Sequence, residues 1–266
     1  MGEHLALVTG ATSGIGQALC ALLANKGMRL LITGRDADKL QQLQERFPSA
    51  VLQWIAADLS HESGRSRVIE AIHRHGPDLV INNAGFGLYG EALTYQTEEQ
   101  KKMVNVNCLA VIECALEAAR TLVSRKQKGI ILNVSSAAGF QIAPNMAIYA
   151  ASKAFVTHFS QSFDEEMRPY GIRVLAICPG MVDTPFSVKA GGERKPKQTA
   201  GVMTPEFVAE EIWQQIHTLQ PVRIIDWKYR LLTRLSSIFP KRWTAQIIKK
   251  NIAERIAPRH IMTIEQ

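Results

Sequence analysis

Cysteine is scarce in this 266-residue chain: Cys20, Cys108, Cys114 and Cys178 are scattered, with no CxxC pair and no His at metal-ligand spacing. This excludes a disulfide framework and a cysteine-based metal cluster, and the four read as buried thiols in a reducing compartment. Also missing is any apolar run near the ~20 residues that cross a bilayer. The N-terminus enters a strand-like run, Leu5-Ala-Leu-Val-Thr9, without the charged and apolar regions of a leader. The expected location is therefore the cytoplasm. Internal repeats and low-complexity linkers are lacking, so one domain with a sizeable core is the natural expectation for 46% apolar and 21% charged residues.

Acidic residues are under-represented in one region only. Residues 1–188 hold 17 Lys/Arg and 17 Asp/Glu, whereas residues 189–266 hold 14 and 7, so the net charge of +7 arises entirely in the C-terminal part. That describes a local basic surface on an otherwise balanced protein. No nucleic-acid-binding motif accompanies it, and no nucleic acid partner is expected.

Apolar, β-rich runs alternate with amphipathic patterns. Strands are predicted at Leu5 to Thr9, Leu30 to Thr33, Val51 to Ala56, Leu79 to Asn82, Ile130 to Val134, Val174 to Cys178 and Val222 to Ile225. Helices are predicted near 15–26, 37–47, 61–75, 97–125, 148–169 and 205–219. Continuous apolar strands separated by helices imply a doubly wound parallel α/β sheet of Rossmann type, covered on both faces. Ligands in such folds bind beyond the carboxyl ends of the strands. The stretch Asp183 to Met203, with Gly191-Gly192-Glu193-Arg194-Lys195-Pro196-Lys197, suits either a mobile lid or an irregular surface loop.

After the first strand, Thr9-Gly10-Ala11-Thr12-Ser13-Gly14-Ile15-Gly16 leads straight into a helical pattern. Glycines permit a tight turn and close approach to a pyrophosphate, and a helix N-terminus offers unpaired N–H groups. No Lys-Ser/Thr follows, as a nucleoside triphosphate loop would require. Farther on, Tyr149 and Lys153 lie four apart, which stacks phenol and ammonium on one helical face. A free tyrosine titrates near ~10, and a nearby cation favours its phenolate.

Taken together, TGxxxGIG, Asn82-Asn83-Ala84-Gly85 after the fourth strand, Ser136 after the fifth, YxxxK thirteen residues beyond that serine, and Pro179-Gly180 after the sixth resemble the short-chain dehydrogenase/reductase family. The resemblance spans roughly residues 4–225. It implies an oxidoreductase in which Ser136 hydrogen-bonds the substrate oxygen, Tyr149 transfers the proton, and Lys153 holds the nicotinamide ribose and lowers the tyrosine pKa. Ser135 is the competing serine and fits a structural role better. An asparagine of the long central helix supports the lysine in family members; Asn107 fits that position better than Asn105. The resemblance further implies that Gly10, Ser13, Gly14, Ile15 and Gly16 cradle the cofactor, that Asp58 and Leu59 flank the adenine, and that Asn83, Ala84 and Gly85 form a backbone wall. Pro179, Gly180, Val182 and Thr184 would face the nicotinamide and pyrophosphate. Family members of this size also imply a homodimer or homotetramer.

At the end of the second strand stand Gly34 and Arg35, where NAD enzymes place a carboxylate and NADP enzymes a cation. Arg35 therefore favours NADP(H) over NAD(H). Asp36 counters this, while Asp38 with Gln41 reads as a capping box. Loops around the reacting atom carry Phe86, Leu88, Tyr89, Phe140, Ile142, Pro144, Met146, Met181, Phe186 and Val188, a lining suited to an apolar carbonyl or alcohol.

Beyond residue 225 lies a basic amphipathic extension, 226–266. Leu231, Leu235, Ile238 and Phe239, then Trp243, Ile247, Ile248 and Ile252, recur at helical spacing opposite Arg230, Arg234, Lys241, Arg242, Lys249 and Lys250. Two readings fit: a face packed on the same domain, or peripheral contact with an anionic membrane. For the whole chain, the leading expectation is an NADP(H)-dependent enzyme interconverting an apolar ketone or aldehyde and its alcohol, needing no metal. An NAD(P)-binding sensor or scaffold is the alternative, and an epimerase or dehydratase of the extended relatives a weaker one, its glycine spacing and longer C-terminal domain being absent.

Overall fold

A computed structural model describes residues 4–191, 201–225, 228–231 and 241–253. Seven strands form one parallel sheet in the order β3-β2-β1-β4-β5-β6-β7: β1 Leu5–Thr9, β2 Arg29–Gly34, β3 Val51–Ala56, β4 Leu79–Asn82, β5 Gly129–Val134, β6 Ile172–Cys178 and β7 Val222–Ile224. The helices between them are α1 Gly14–Asn25, α2 Ala37–Arg46, α3 Glu62–His75, α4 Thr97–Val104, α5 Ala110–Ser124, α6 Ala147–Met167, α7 Phe186–Lys189 and α8 Pro205–Thr218, and α9 Lys241–Ala253 follows β7.

Period-two alternation decides which face each strand residue serves. Val8, Ile32, Ile81, Leu132 and Ile177 pack against Leu19 and Leu23 of α1, Leu40 of α2 and Ile212 of α8. Leu7, Leu31, Val80, Ile131 and Val174 point the other way, onto Val68 and Ile72 of α3, Leu122 of α5 and Phe163 of α6. Both faces are thus apolar, as continuous runs require of a doubly covered sheet.

The long helix expected over 97–125 is interrupted. A π turn, Asn105–Leu109, separates α4 from α5. Inside it, the Asn107 side chain is fully buried and bonded to the loop after β4 rather than to solvent. The helix start at α2 also differs from expectation: Asp36 is the cap, accepting from the Lys39 N–H at 3.1 Å, while Gln41 bonds Glu45. The Asp38/Gln41 capping box therefore does not form, because Asp36 lies one residue before the first helical position and Asp38 is already in the first turn. Gly192 to Lys197 of the expected lid lie outside the described residues, but its base is fastened: Asp183 N–H donates to Met203 O and Met203 N–H to Met181 O, both at 2.8 Å.

Asp164, fully buried on α6, ties that helix to the start of β6. Its carboxylate accepts from Arg173 Nε at 2.8 Å, Val174 N–H at 2.8 Å and Arg168 Nε at 3.0 Å. Burial pushes its pKa up, but the Arg173, Val174 and Arg168 hydrogen bonds outweigh this and hold it below the ordinary carboxylate range. Its stabilising contribution is complete above the unfolded carboxylate pKa and is lost as pH falls through the lower folded value. Asp164→Ala is expected to cost about 3 kcal/mol in urea unfolding at neutral pH and to flatten the acid limb of the stability curve; an unaltered acid limb would refute this account.

Candidate active site

The sheet order reverses between β1 and β4, and there the loops leaving the strands diverge, as doubly wound sheets require of a ligand crevice. A cavity of about 520 Å³ runs along this rim, from the glycine turn to α9. Gly10 and Gly14 adopt φ of 69° and 53°, in the left-handed region that favours glycine. At Gly16 a Cβ would collide with the Gly10 carbonyl, so this residue closes the turn from beneath while Gly10, Ser13, Gly14 and Ile15 line the cavity. Helix α1 begins at Gly14 with no side-chain cap from Ser13 and no acidic residue in its first turn, whereas α2 and α8 are capped by Asp36 and Thr204. Its exposed N–H groups and positive end therefore face the cavity, a fit for a pyrophosphate.

The far wall is fastened to this turn. Thr9 Oγ1 accepts from both Asn83 N–H and Ala84 N–H at 3.0 Å, and Asn83 Nδ2 donates to Thr9 O at 2.9 Å and Gly10 O at 3.2 Å. The Asn83 amide is thus committed to the glycine turn, leaving the chain of Asn83, Ala84 and Gly85 as the wall. Thr9 was not singled out from the sequence; a hydroxyl closing a strand's apolar run was the available signal.

At the β2 and β3 ends, Arg35, Asp58 and Leu59 line the cavity together. Burial raises the Asp58 pKa, but hydrogen bonds from Ser60 and the charges of Arg35 and His61 bring it below the ordinary value. Asp36 points elsewhere: its carboxylate is exposed and paired with Lys39 at 2.9 Å.

Ser136, Tyr149 and Lys153 converge at the β5 end. Tyr149, buried, and Lys153, buried beneath it on α6, line the cavity with Ser136. Lys153 Nζ donates to Val134 O at 2.8 Å, its one recorded hydrogen bond among the described residues. Two ammonium donors thus remain beside the cavity, a fit for ribose hydroxyls. Burial lowers the Lys153 pKa to about 8, against the smaller opposing effects of the Cys108 and Cys178 thiols. The Tyr149 phenol is pushed upward by burial, pulled back by the Ser136 hydroxyl, and raised further by Tyr89. The Lys153 ammonium stands 5.9 Å from the Tyr149 ring centroid while one of its N–H groups donates to Val134 O. Tyr149 is therefore a neutral phenol at neutral pH.

Ser135 has the structural role, donating to Lys153 O at 2.7 Å and contacting Thr157 Oγ1 at 2.7 Å. Asn107 does not line the cavity. Its Nδ2 donates to Phe86 O at 2.9 Å and Ser152 Oγ at 3.1 Å, and its Oδ1 accepts from Phe86 N–H at 3.1 Å. It links the β4 loop to α6, whereas Asn105 reaches only Ser60 O. On the remaining wall stand Pro179, Gly180, Val182 and Thr184, so that of the catalytic and cofactor-binding residues expected from the sequence only Gly16 and Asn107 do not line the cavity.

The substrate end is apolar. Phe86, Tyr89, Met146, Met181 and Phe186 line it, and the Phe186 ring stands 5.6 Å from that of Tyr149. Leu88 packs beneath, beside Met103. Phe140, Ile142 and Val188 are exposed, and Ile142 and Pro144 border a separate shallow groove, so these four leave the expected lining. From the C-terminal extension, Tyr229, Ile248 and Ile252 enter the wall. Leu235, Ile238 and Phe239, and the side chains of Trp243 and Ile247, lie outside the described residues. No described helix is long and apolar enough to cross a membrane.

This geometry has counterparts. A family model described as short chain dehydrogenase matches residues 4–195. An uncharacterized oxidoreductase of Staphylococcus aureus (strain MRSA252) is 30% identical over 212 residues, 79% of this chain and 89% of that protein. A short-chain dehydrogenase from Sphingobium yanoikuyae in complex with NADPH superposes with a TM-score of 0.78 at 26% identity, covering 88% of this chain and 93% of that one. The 3-ketoacyl-(acyl-carrier-protein) reductase from Brucella melitensis complexed with NADH gives 0.71 at 26%, covering 84% and 96%. The chain belongs to the short-chain dehydrogenase family and is an oxidoreductase that interconverts CH–OH and C=O groups with a nicotinamide dinucleotide.

Proposed function

We propose that the protein is an NADP(H)-dependent reductase of apolar ketones or aldehydes, running in reverse as an alcohol dehydrogenase. The observation that carries this reading is the convergence of Ser136, a neutral Tyr149 and the Lys153 ammonium on one apolar-walled cavity that opens from an uncapped helix N-terminus. When bound there, the nicotinamide supplies or accepts the hydride. Ser136 Oγ orients the substrate oxygen, and Tyr149 Oη gives it a proton as the hydride reaches its carbon. Lys153 presents its free N–H donors to the ribose, held in place by Val134 O. Asn107 acts at one remove, fixing the loop of Gly85 and Phe86 against α6.

Support for NADP(H) comes from β2. A carboxylate at position 34 would have to displace Thr12, since a Cβ there meets Thr12 Cγ2 at 2.7 Å, and the nearby Asp36 is turned to its own helix. Arg35 is left as the charged group facing the cavity at this strand end, suited to a 2′-phosphate. Packing of Ile248 and Ile252 on the buried cluster of Met146 and Tyr149 supports assigning α9, the described helix of the extension, to the same domain.

Arg35→Ala is expected to weaken NADPH at least about tenfold, a charge-assisted hydrogen bond being lost, with little effect on NADH; equal losses for both would remove the argument. Tyr149→Phe should lower kcat for ketone reduction by about 100-fold or more while the Kd for NADPH, read by fluorescence, stays near the wild-type value. Turnover preserved in that variant excludes the phenol as donor.

Lys153 yields a stability prediction of opposite sign. Its folded pKa, about 8, lies below that of an exposed lysine. The buried ammonium thus costs stability at neutral pH, and the cost relaxes as pH rises from about 8 toward the ordinary lysine range, where the unfolded chain holds more protons. Lys153→Met should therefore be inactive yet more stable by on the order of 2 kcal/mol at neutral pH, with the gap closing in alkali. A variant less stable than wild type at neutral pH contradicts this.

A further inference from the structure

The family match ends at residue 195, yet the cavity does not: Tyr229, Ile248 and Ile252 belong to its wall. Ile248 and Ile252 stand at i and i+4 on α9, hence on one face, and both pack on the buried cluster that holds Met146 and Tyr149, against which Phe186 also packs. The opposite face is exposed and polar, carrying Arg242, Gln246, Lys249 and Lys250. Lys249 lies 3.9 Å from Glu91, on the segment after β4, across a water-exposed gap. An exposed pair of that kind contributes little, so among the described side chains the apolar contacts of Ile248 and Ile252 are what seat α9. Tyr229 anchors the start of the extension: its ring lies against Gly180, where no Cβ could be accommodated, and its hydroxyl accepts from Met181 N–H at 3.3 Å.

We infer that α9 is the selectivity element of this enzyme, with Ile248 and Ile252 gripping the apolar substituent of the substrate against Met146 and Phe186. This rests on the reductase reading above and adds to it which part of the chain chooses the substrate. The two isoleucines of α9 stand at the end of the cavity around Met146 and Tyr149, whereas Tyr229 meets Gly180 on the wall beside the cofactor. A carbonyl bearing an aryl or branched alkyl group fills that end; a short-chain ketone does not reach α9. Since one methylene in an apolar pocket changes discrimination by roughly 10-fold or more, shaving both isoleucines should erase a preference for the larger substrate.

The test compares propiophenone with butan-2-one, each with NADPH, in wild type, Ile248→Ala/Ile252→Ala and the conservative Ile252→Val. Leu231→Ala, at an exposed residue of the same extension, serves as control. The expected result is a fall of about tenfold or more in the ratio of kcat/KM for propiophenone over butan-2-one in the double variant, a smaller fall in Ile252→Val, and an unaltered ratio in Leu231→Ala. A ratio that stays constant in the double variant overturns the proposal, whether both rates are kept or both collapse. Propiophenone-induced shifts in Tm, measured with NADPH present, read the same contact without turnover: wild type should shift and the double variant should not, and equal shifts overturn the proposal. A wild type that reduces neither ketone counts against the reductase reading alone, while the Tm comparison still decides the role of α9.

Discussion

Burial of a parallel sheet on both faces is the constraint from which the rest of this molecule follows. Parallel neighbours cannot be joined by a tight turn, so each connection must cross over as a helix, and each strand must be apolar on both sides. Leu7 and Val8, Leu31 and Ile32, and Val80 and Ile81 show the consequence, neighbours in sequence serving opposite cores. The same constraint places every strand's carboxyl end on one rim. Chemistry is therefore confined to that rim, and the reversal of order between β1 and β4 opens the cleft there.

Polar groups beneath the rim are buried but connected. Asn82 Nδ2 donates to Asn133 Oδ1 at 2.8 Å and Asn133 Nδ2 to Ser160 Oγ at 2.9 Å, joining β4, β5 and α6 below the reactive groups. Ser135 and Thr157 meet at the Lys153 carbonyl, farther along the same face of that helix. A satisfied network of this kind fixes rotamers and helix register. Lys153 is the exception: its ammonium is held where burial disfavours the charge, and such local cost is what a site pre-organised for a ligand accepts.

Most of this architecture was legible in the residues. Strand positions follow from apolar runs, and β1, β3 and β4 match their expected bounds. The motif residues cluster because each follows a strand and every strand points the same way. What escaped depends on side-chain direction. Asp36 and Asp38 are both plausible caps by composition, and only the point where the backbone turns helical decides between them. Asn107 was found by position, but the π turn that buries it against the loop after β4 was not, since periodicity does not reveal one. Phe140 and Val188 were assigned to the lining by proximity in sequence to lining residues, yet their side chains face solvent.

The two ends of the cavity differ in how their chemistry is written. At the cofactor end the partner is a fixed molecule, so turn geometry, a helix N-terminus and a cation must stand at set distances, and local spacing exposes them. At the substrate end the requirement is only apolar volume of the right shape, which many residues from any part of the chain can supply. Ile248 and Ile252 meet it from α9, 99 and 103 residues beyond Tyr149. Amphipathic spacing shows that such a helix has an apolar face but not what covers it, and packing against a protein or a membrane uses the same pattern. In this fold the covering surface is the wall around Tyr149 itself. The apolar face of α9 is thereby drawn to the cavity wall, while Arg242, Gln246 and Lys250 stay exposed.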